Sequence, residues 1–328
     1  MAFLLGSKFI IGKYKFAGCN EVEIDKSIHE IAQKALIKLP ASAVLKLGKV
    51  TTQSAQTAKF FREGDKVNIQ LAYNDNYKDE FTGFVKLVNY TIPCQIECEG
   101  YSYLLRTKKN IKKSWKNTTL KEVLQEVVSG TEIKLHPQIP DIPLKNIAIN
   151  NATGLEVVEY IKGLLKGALA AFFIDDTLYM GLTYMDLAQT TVKHQLGYNT
   201  ITADNLKYRK AEDVNVKIEF LFRKGNGEQV VTTAGTDGGV VKRDTISTIT
   251  DVKHLKEIAD AKLLQENYDG YEGDITTFLV PYVQPGYRDE LTDKRFAERE
   301  GNYFVESTKT TFGQGGGRRK VQIGVKLS

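Results

Sequence analysis

The glycine and proline spacing of Tyr268–Leu327 constrains this chain more than any other feature. Glycines stand at Gly270, Gly273, Gly286, Gly301, Gly313 and Gly324, mostly between short apolar or alternating runs. Ile275–Val280, Tyr303–Ser307 and Lys320–Leu327 have strand length and are rich in β-branched or aromatic residues. Pro281, Pro285 and Gly286 interrupt where turns belong. The pattern predicts antiparallel strands able to close into a small barrel. Nothing in the stretch reads as a catalytic set. It reads as a wall.

Residues 1–104 also read as mostly β. Val22 and Ile24 alternate with acids, and Val44, Leu45, Leu47 and Val50 follow Pro40. Val67, Ile69 and Leu71 point one way while Lys66, Asn68 and Gln70 point the other, after a turn at Gly64-Asp65. Phe81–Leu87, with Gly83 inside it, makes another strand, and Cys94–Cys98 alternates again.

Residues 105–185 change character. Ser114–Val128 reads as a helix, with Thr119 and Glu122 at capping-box spacing and Leu120, Val123, Leu124, Val127 and Val128 as its apolar stripe. Gly130 stops it, and Ile133–Leu135 starts a strand. Thr153 and Glu156 repeat the capping box before Leu155, Val158, Ile161 and Leu165, with Gly167 as the stop. Ala171–Ile174 and Leu178–Met180 flank a turn-forming Asp175-Asp176. Helix–strand twice, closed by a hairpin, predicts a small α/β insert.

From 186 to 328 the chain returns to β. Val214, Val216, Ile218 and Phe220 alternate with polar residues. Lys224–Gly239 is rich in Gly and Thr and poor in apolar residues, so it reads as a hairpin tip or loop. Thr250–Asn267 reads as one amphipathic helix with Val252, Leu255, Ile258, Ala259 and Leu263 on one face.

Two parts of the chain share a layout. The first runs Gly64-Asp65, strand, Gly83, strand, Cys94–Cys98. The second runs Gly286, strand to Leu291, Gly301-Asn-Tyr303, strand, terminal strand. Spacing alone leaves a duplicated barrel and the shared punctuation of all-β chains equally open.

Few residues in the chain point to reaction chemistry. His29, His136, His194 and His254 lack the spacing of a metal pair, and no nucleophile-elbow or Cys–His signature is present. Cys94 and Cys98 stand alone, and a structural metal needs about four ligands, so both read as core residues of one strand face. With Cys19 they make three cysteines, which read as reduced and structural. Carboxylates are abundant, so a glycoside-hydrolase pair stays open; Glu272 and Asp274 are the candidates, but they precede a strand and read first as turn residues. Gly313–Lys320 could cradle a phosphate, but it lacks P-loop spacing and precedes a strand, so it reads as a basic hairpin loop. No cofactor is expected.

Composition narrows the class further. A net charge of +5, with basic residues spread along the chain and 40 acids beside them, does not mark a nucleic-acid binder. No apolar run approaches a membrane span, so membrane insertion is not expected, and the start lacks a signal peptide's organisation. Release by lysis fits such a chain if it works outside the cell.

The closing stretch resembles the end of phage tail baseplate hub proteins, the family of the late control protein D group and of the hub half of type VI secretion spike proteins. The residues that carry this are Gly273-Asp274, Phe278, Pro281, Pro285-Gly286, Leu291, Gly301–Val305 with Tyr303, Phe312-Gly313 and Arg318 through Gly324 to Leu327. Phe61–Val67 and Phe81–Val85 resemble the family's first barrel, and the insert sits where such hubs carry an α/β domain.

The resemblance implies a mainly β, α+β fold: two tail-tube-like antiparallel β-barrel domains, 1–104 and 186–328 (the latter with one helix), around a small α/β domain, 105–185. It implies a homotrimer whose six barrels form a ring between tail tube and spike. A tape-measure protein is a further neighbour and DNA only passing cargo. The place would be the virion tail or baseplate, assembled in the bacterial host cytoplasm. The glycines and their neighbours Gly64, Asp65, Gly83, Gly273, Asp274, Pro281, Pro285, Gly286, Gly301, Tyr303, Gly313 and Gly324 would serve assembly of the barrels. The family's spike helix or lysozyme-like domain is not found before Ser328, so a separate spike protein would cap the ring. A tail-associated cell-wall hydrolase and a carbohydrate- or surface-binding module, suggested by 16 Tyr and 15 Phe, stand as the alternatives.

Overall fold

Alternation of apolar and polar residues sets nearly every element of the first hundred residues. The computed structural model describes residues 4–47, 51–164, 169–184, 190–203, 205–213, 215–223, 228–246, 249 and 251–327. Strands β1 (Leu5–Ile11), β2 (Tyr14–Phe16), β3 (Glu21–Ser27) and β4 (Lys34–Leu39) come first. A hairpin, β5 (Ser42–Leu47) and β6 (Thr51–Gln56), pairs only with itself among the described residues. Then follow β7 (Lys66–Tyr73), β8 (Asn76–Asn89) and β9 (Cys94–Glu99). Phe9, Val22, Ile37, Ile69, Val85, Ile96 and Cys98 point inward into one core. Burying such side chains contributes about 1.5–3 kcal/mol each. Both thiols expected in the core are there, and burial pushes each upward from the ordinary thiol range.

The helices and strands read between 105 and 185 form, several with other ends than expected. This part of the chain comprises α1 (Ser102–Thr107), β10 (Ile111–Thr119), α2 (Leu120–Val128), β11 (Lys134–Leu135), β12 (Pro143–Ala152), α3 (Gly154–Leu164), β13 (Leu169–Ile174) and β14 (Thr177–Leu182). Thr119 caps α2 with the full reciprocal capping box. Glu156 and Thr153 exchange the same bonds at α3 (2.7 and 3.2 Å). Residues 114–119, expected in the helix, belong to β10, because their backbone pairs with β12. The β13–β14 turn is Asp175-Asp176, with Asp175 at φ +52°. Leu165 and Gly167 lie outside the described residues.

The last part holds β15 (Thr191–Gln195), β16 (Thr200–Thr202), β17 (Lys207–Arg209), β18 (Val216–Arg223), β19 (Gln229–Gly235), β20 (Val240–Thr245), α4 (Val252–Glu266), β21 (Gly270–Thr277), β22 (Arg288–Thr292), β23 (Gly301–Gly313) and β24 (Gly316–Lys326). The stretch read as a hairpin tip or loop contains β19, which pairs with one side of β18; β20 begins directly after it and pairs with the other side. Its Val and Thr residues suit a half-exposed strand despite low hydropathy. Residues 224–227, Val214 and Thr250 lie outside the described residues. Leu255, Ile258 and Ala259 of α4 are buried against this sheet, whereas Val252, expected on that face, is exposed.

The two β regions are not separate barrels. Among the described residues, fourteen strands form one sheet, with the main path β16-β21-β24-β23-β3-β4-β9-β8-β7-β1-β2. No run closes on itself. The edges that would close each barrel, β3 and β23, pair with each other from Ser27–Ser307 to Glu21–Gly313. Curling still lets distant strands share a core: Phe9 of β1, Val22 of β3 and Phe312 of β23 belong to one cluster. Val192, Ile275, Leu291, Tyr303, Val321 and Ile323 fill a second cluster beyond the seam.

Candidate functional site

The turns that start β7 and β22 are the same turn. Asp65 N–H donates to the Arg62 carbonyl (3.1 Å), and Tyr287 N–H to the Gln284 carbonyl (3.2 Å). Gly64 and Gly286, third in each turn, have φ of +86° and +88°, where a Cβ would be strained. Gly64 N–H donates to Val85 O and Val85 N–H to Asp65 O; Gly286 N–H donates to Val305 O and Val305 N–H to Tyr287 O, all at 2.9 Å. Pro285 fits the second position of its turn, where φ is fixed at a suitable value. Asp65 adds a bond of its own, accepting from Arg62 N–H (2.8 Å). Each turn is followed by three consecutive antiparallel strands, β7–β8–β9 and β22–β23–β24. The echo read in the sequence is therefore a repeated local geometry.

The other predicted positions are sites of close approach or fixed packing. A Cβ on Gly83 would sit 2.3 Å from the Glu99 carbonyl oxygen, and on Gly273 2.1 Å from that of Asn205. On Gly313 it would lie 2.7 Å from the Asn20 carbonyl, and on Gly324 2.2 Å from Glu306 Oε1. Gly301 opens β23 opposite Leu291. Tyr303 is fully buried; its hydroxyl donates to the Arg299 carbonyl (3.0 Å), and burial pushes its pKa up to about 12. Pro281 follows a cis bond, and its carbonyl accepts from Arg319 (3.0 Å).

The seam has two unlike faces. On the open face, Lys309 of β23 pairs with Glu23 of β3 (2.8 Å) and reaches Asp25 (4.0 Å). Lys38 of β4 pairs with Glu21 (2.6 Å), and Lys320 of β24 with Asp274 of β21 (3.1 Å). The Lys309 contact holds the Glu23 carboxyl below the usual range. This face thus runs across β21, β24, β23, β3 and β4 with cations and anions interleaved.

The inner face at the seam carries buried polar groups beside its apolar residues Val22, Ile24 and Phe312. Arg319 is fully buried and bonds Glu80 of β8 (2.5 Å), the Leu279 carbonyl (2.8 Å) and Thr310 Oγ1 (3.3 Å). Lys26 of β3 lies beside it, donating to Tyr282 Oη (3.3 Å) and Gln284 Oε1 (3.5 Å). Burial lowers the Lys26 pKa and raises that of Tyr282. Sequence reading placed Arg318–Lys320 in a basic loop. The turn is instead Gln314-Gly315, and the three cations belong to β24. Arg319 falls in phase with Val321, Ile323 and Val325, and Lys26 with Val22 and Ile24. That phase was the available signal. A second buried pair, His194 Nδ1 with Asp289 (2.9 and 2.8 Å to its two oxygens), joins β15 to β22; His194 stands in the sequence only as a histidine without metal-pair spacing, and nothing there points to Asp289.

Glu272 and Asp274 do line one cleft of about 560 Å³, together with Glu306 and Tyr184. Each carboxylate already holds partners. Glu272 accepts from Arg209 (3.0 Å), Asp274 from Asn205 (3.1 Å) as well as pairing with Lys320, and Glu306 from the Tyr184 hydroxyl (2.5 Å). Among the described residues no helix is long and apolar enough to cross a membrane. No group of three or more His, Cys, Asp or Glu side chains there is placed to hold a metal ion.

No protein-family model and no curated protein sequence matches the chain. Solved structures do. The tail protein of Neisseria meningitidis MC58 is similar over 98% of this chain and 96% of its own, with 12% identity and a TM-score of 0.67. The 43 kDa tail protein of prophage MuSo2 from Shewanella oneidensis is similar over 97% of each chain, with 12% identity and a TM-score of 0.62. The chain has the fold of phage tail proteins. An Escherichia coli component of the type VI secretion system, itself structurally similar to T4 bacteriophage tail proteins, shares that fold over 98% of this chain and 77% of its own, with 7% identity and a TM-score of 0.60. Coverage of nearly the whole chain means that the insert and the seam belong to the tail-protein fold along with the strands.

Proposed function

We propose that the protein is the hub of a phage or phage-like tail, a homotrimer whose six walls form a ring joining the tail tube to the central spike. The observation that carries this is the twin turn at Gly64 and Gly286. It builds two similar walls in one chain, so three chains present six similar walls with three-fold symmetry. The β3–β23 pairing fixes the two walls side by side in one sheet. In this reading the interleaved face across β21, β24, β23, β3 and β4 lines the lumen. Its lysines are neutralised by Glu21, Glu23 and Asp274, so passing DNA meets few free cations, and each free cation would add salt-dependent drag. Tail-tube protein occupies one side of the ring and a spike protein the other, with a tape-measure protein as a further neighbour. The assembled ring resides in the virion tail or baseplate.

The reading assigns no catalytic step. Electron microscopy of the purified protein mixed with tail-tube protein tests it: rings of six-fold outline with three-fold symmetry, seated on tube ends, are expected. Tubes left uncapped would count against it.

A further inference from the structure

A second cleft lies on the far side of β17 and β21. Lys207 and Arg209 turn toward Glu272, while Tyr208 turns the other way and is 52% exposed. Its ring meets that of Tyr271 at 5.1 Å and 62°, so the two form a corner. Asp269, Glu298, Lys326 and the backbone of Gly270 complete a cleft of about 460 Å³, within the usual range for small-ligand sites. The Tyr271 contact covers only one side of the Tyr208 ring, and about half of the residue stays open on this edge strand.

We propose that this corner binds a saccharide. One sugar ring lies against Tyr208, its hydroxyls donating to the Asp269 and Glu298 carboxylates and accepting from the Lys326 ammonium. The surrounding charges select this chemistry. A cationic ligand would meet Lys326 inside the cleft and Arg299, which already sits 5.7 Å from the Tyr271 ring centre. An anionic ligand would meet two carboxylates. A purely apolar ligand would desolvate all three charged groups without compensation. A neutral, hydroxyl-rich molecule satisfies donors and acceptors and still uses the aromatic wall. Two internal bonds hold the corner open: Asp269 accepts from the Ala211 N–H (2.9 Å), and Lys326 donates to the Glu300 carbonyl (2.7 Å), leaving two ammonium protons for ligand. The site stands independently of the ring reading and assigns no reaction to the protein.

Calorimetric titration of the full chain with N-acetylglucosamine trimer and with maltotriose tests the proposal. At least one is expected to bind in the millimolar range or tighter. Tyr208→Ala should weaken that binding by about tenfold, the loss of one aromatic stacking contact, while Tyr208→Trp retains it. Asp269→Asn should weaken it too. Wild-type protein that binds neither saccharide, or a folded Tyr208→Ala variant that binds as well as wild type, would overturn the proposal. So would a Tyr208→Ala variant whose only change is loss of oligomerisation, since the corner would then be a subunit contact.

Discussion

Gly64 and Gly286 occupy the same place in the same turn, at φ +86° and +88°, each with its N–H bonded to a valine carbonyl, Val85 and Val305. Two positions so far apart in one chain hold one geometry because each starts the middle of a wall. Alanine at either position must enter a left-handed backbone region that costs about 1–2 kcal/mol. Gly64→Ala and Gly286→Ala are each expected to lower stability by about that amount. Urea unfolding midpoints at constant slope check it.

Arg319 and Glu80 tie the second wall to the first through a fully buried ion pair. Arg319→Met leaves the Glu80 carboxylate buried without its cation, a loss of about 3–5 kcal/mol. The double variant Arg319→Met, Glu80→Gln should recover a substantial part. A double-mutant cycle measures the coupling, and simple additivity of the two single variants would deny it.

Lys26 carries a pH dependence with a definite sign. Burial lowers its folded-state pKa below the ordinary 10.5, so the unfolded chain binds the proton more readily. Stability attributable to Lys26 therefore rises with pH between the lowered folded value and 10.5, and is lost as pH falls through that window. Lys26→Met, which keeps the volume and removes the charge, should be neutral or stabilising at pH 7 and should flatten that slope. Thermal unfolding of both proteins across alkaline pH gives the comparison.

His194 and Asp289 are both fully inaccessible and bonded to each other. His194→Leu strands the Asp289 carboxylate and is expected to destabilise by about 3–5 kcal/mol. Asp289→Asn, which keeps one hydrogen bond, should cost clearly less. Chemical denaturation of the two variants orders them.

The interleaved face makes a charge-reversal prediction. Replacing Glu21, Glu23 and Asp25 with Lys leaves Lys38, Lys309 and the new cations unneutralised. The triple variant should retain double-stranded DNA in a mobility-shift assay at low salt, with affinity falling steeply as salt rises, whereas wild type should not.

Much of the wall was legible because strands announce themselves by alternation. Val67, Ile69 and Leu71 gave β7 its inward face, and the capping boxes at Thr119 and Thr153 fixed two helix starts. Reading failed where tertiary pairing overrode local pattern. Residues 114–119 look like the first turns of a helix but pair with β12, and the Thr-rich strand β19 is held by β18. The edge pairing of β3 with β23 spans nearly the whole chain, and no local pattern encodes it. Arg319 was read as a loop cation although it occupies the apolar phase of β24, where a buried partner such as Glu80 was required. Tyr208 carried no sequence signal at all. A three-residue edge strand is too short to show periodicity, and only the corner its half-exposed ring makes with Tyr271 beside a charged cleft sets it apart.

The solution mass of the purified chain tests the central claim most directly. Three copies of the 36.8 kDa chain give about 110 kDa. Light scattering should report that mass for the chain alone, or a larger assembly containing three copies of it once tail-tube protein is added. A species that stays at 36.8 kDa under both conditions would contradict the account.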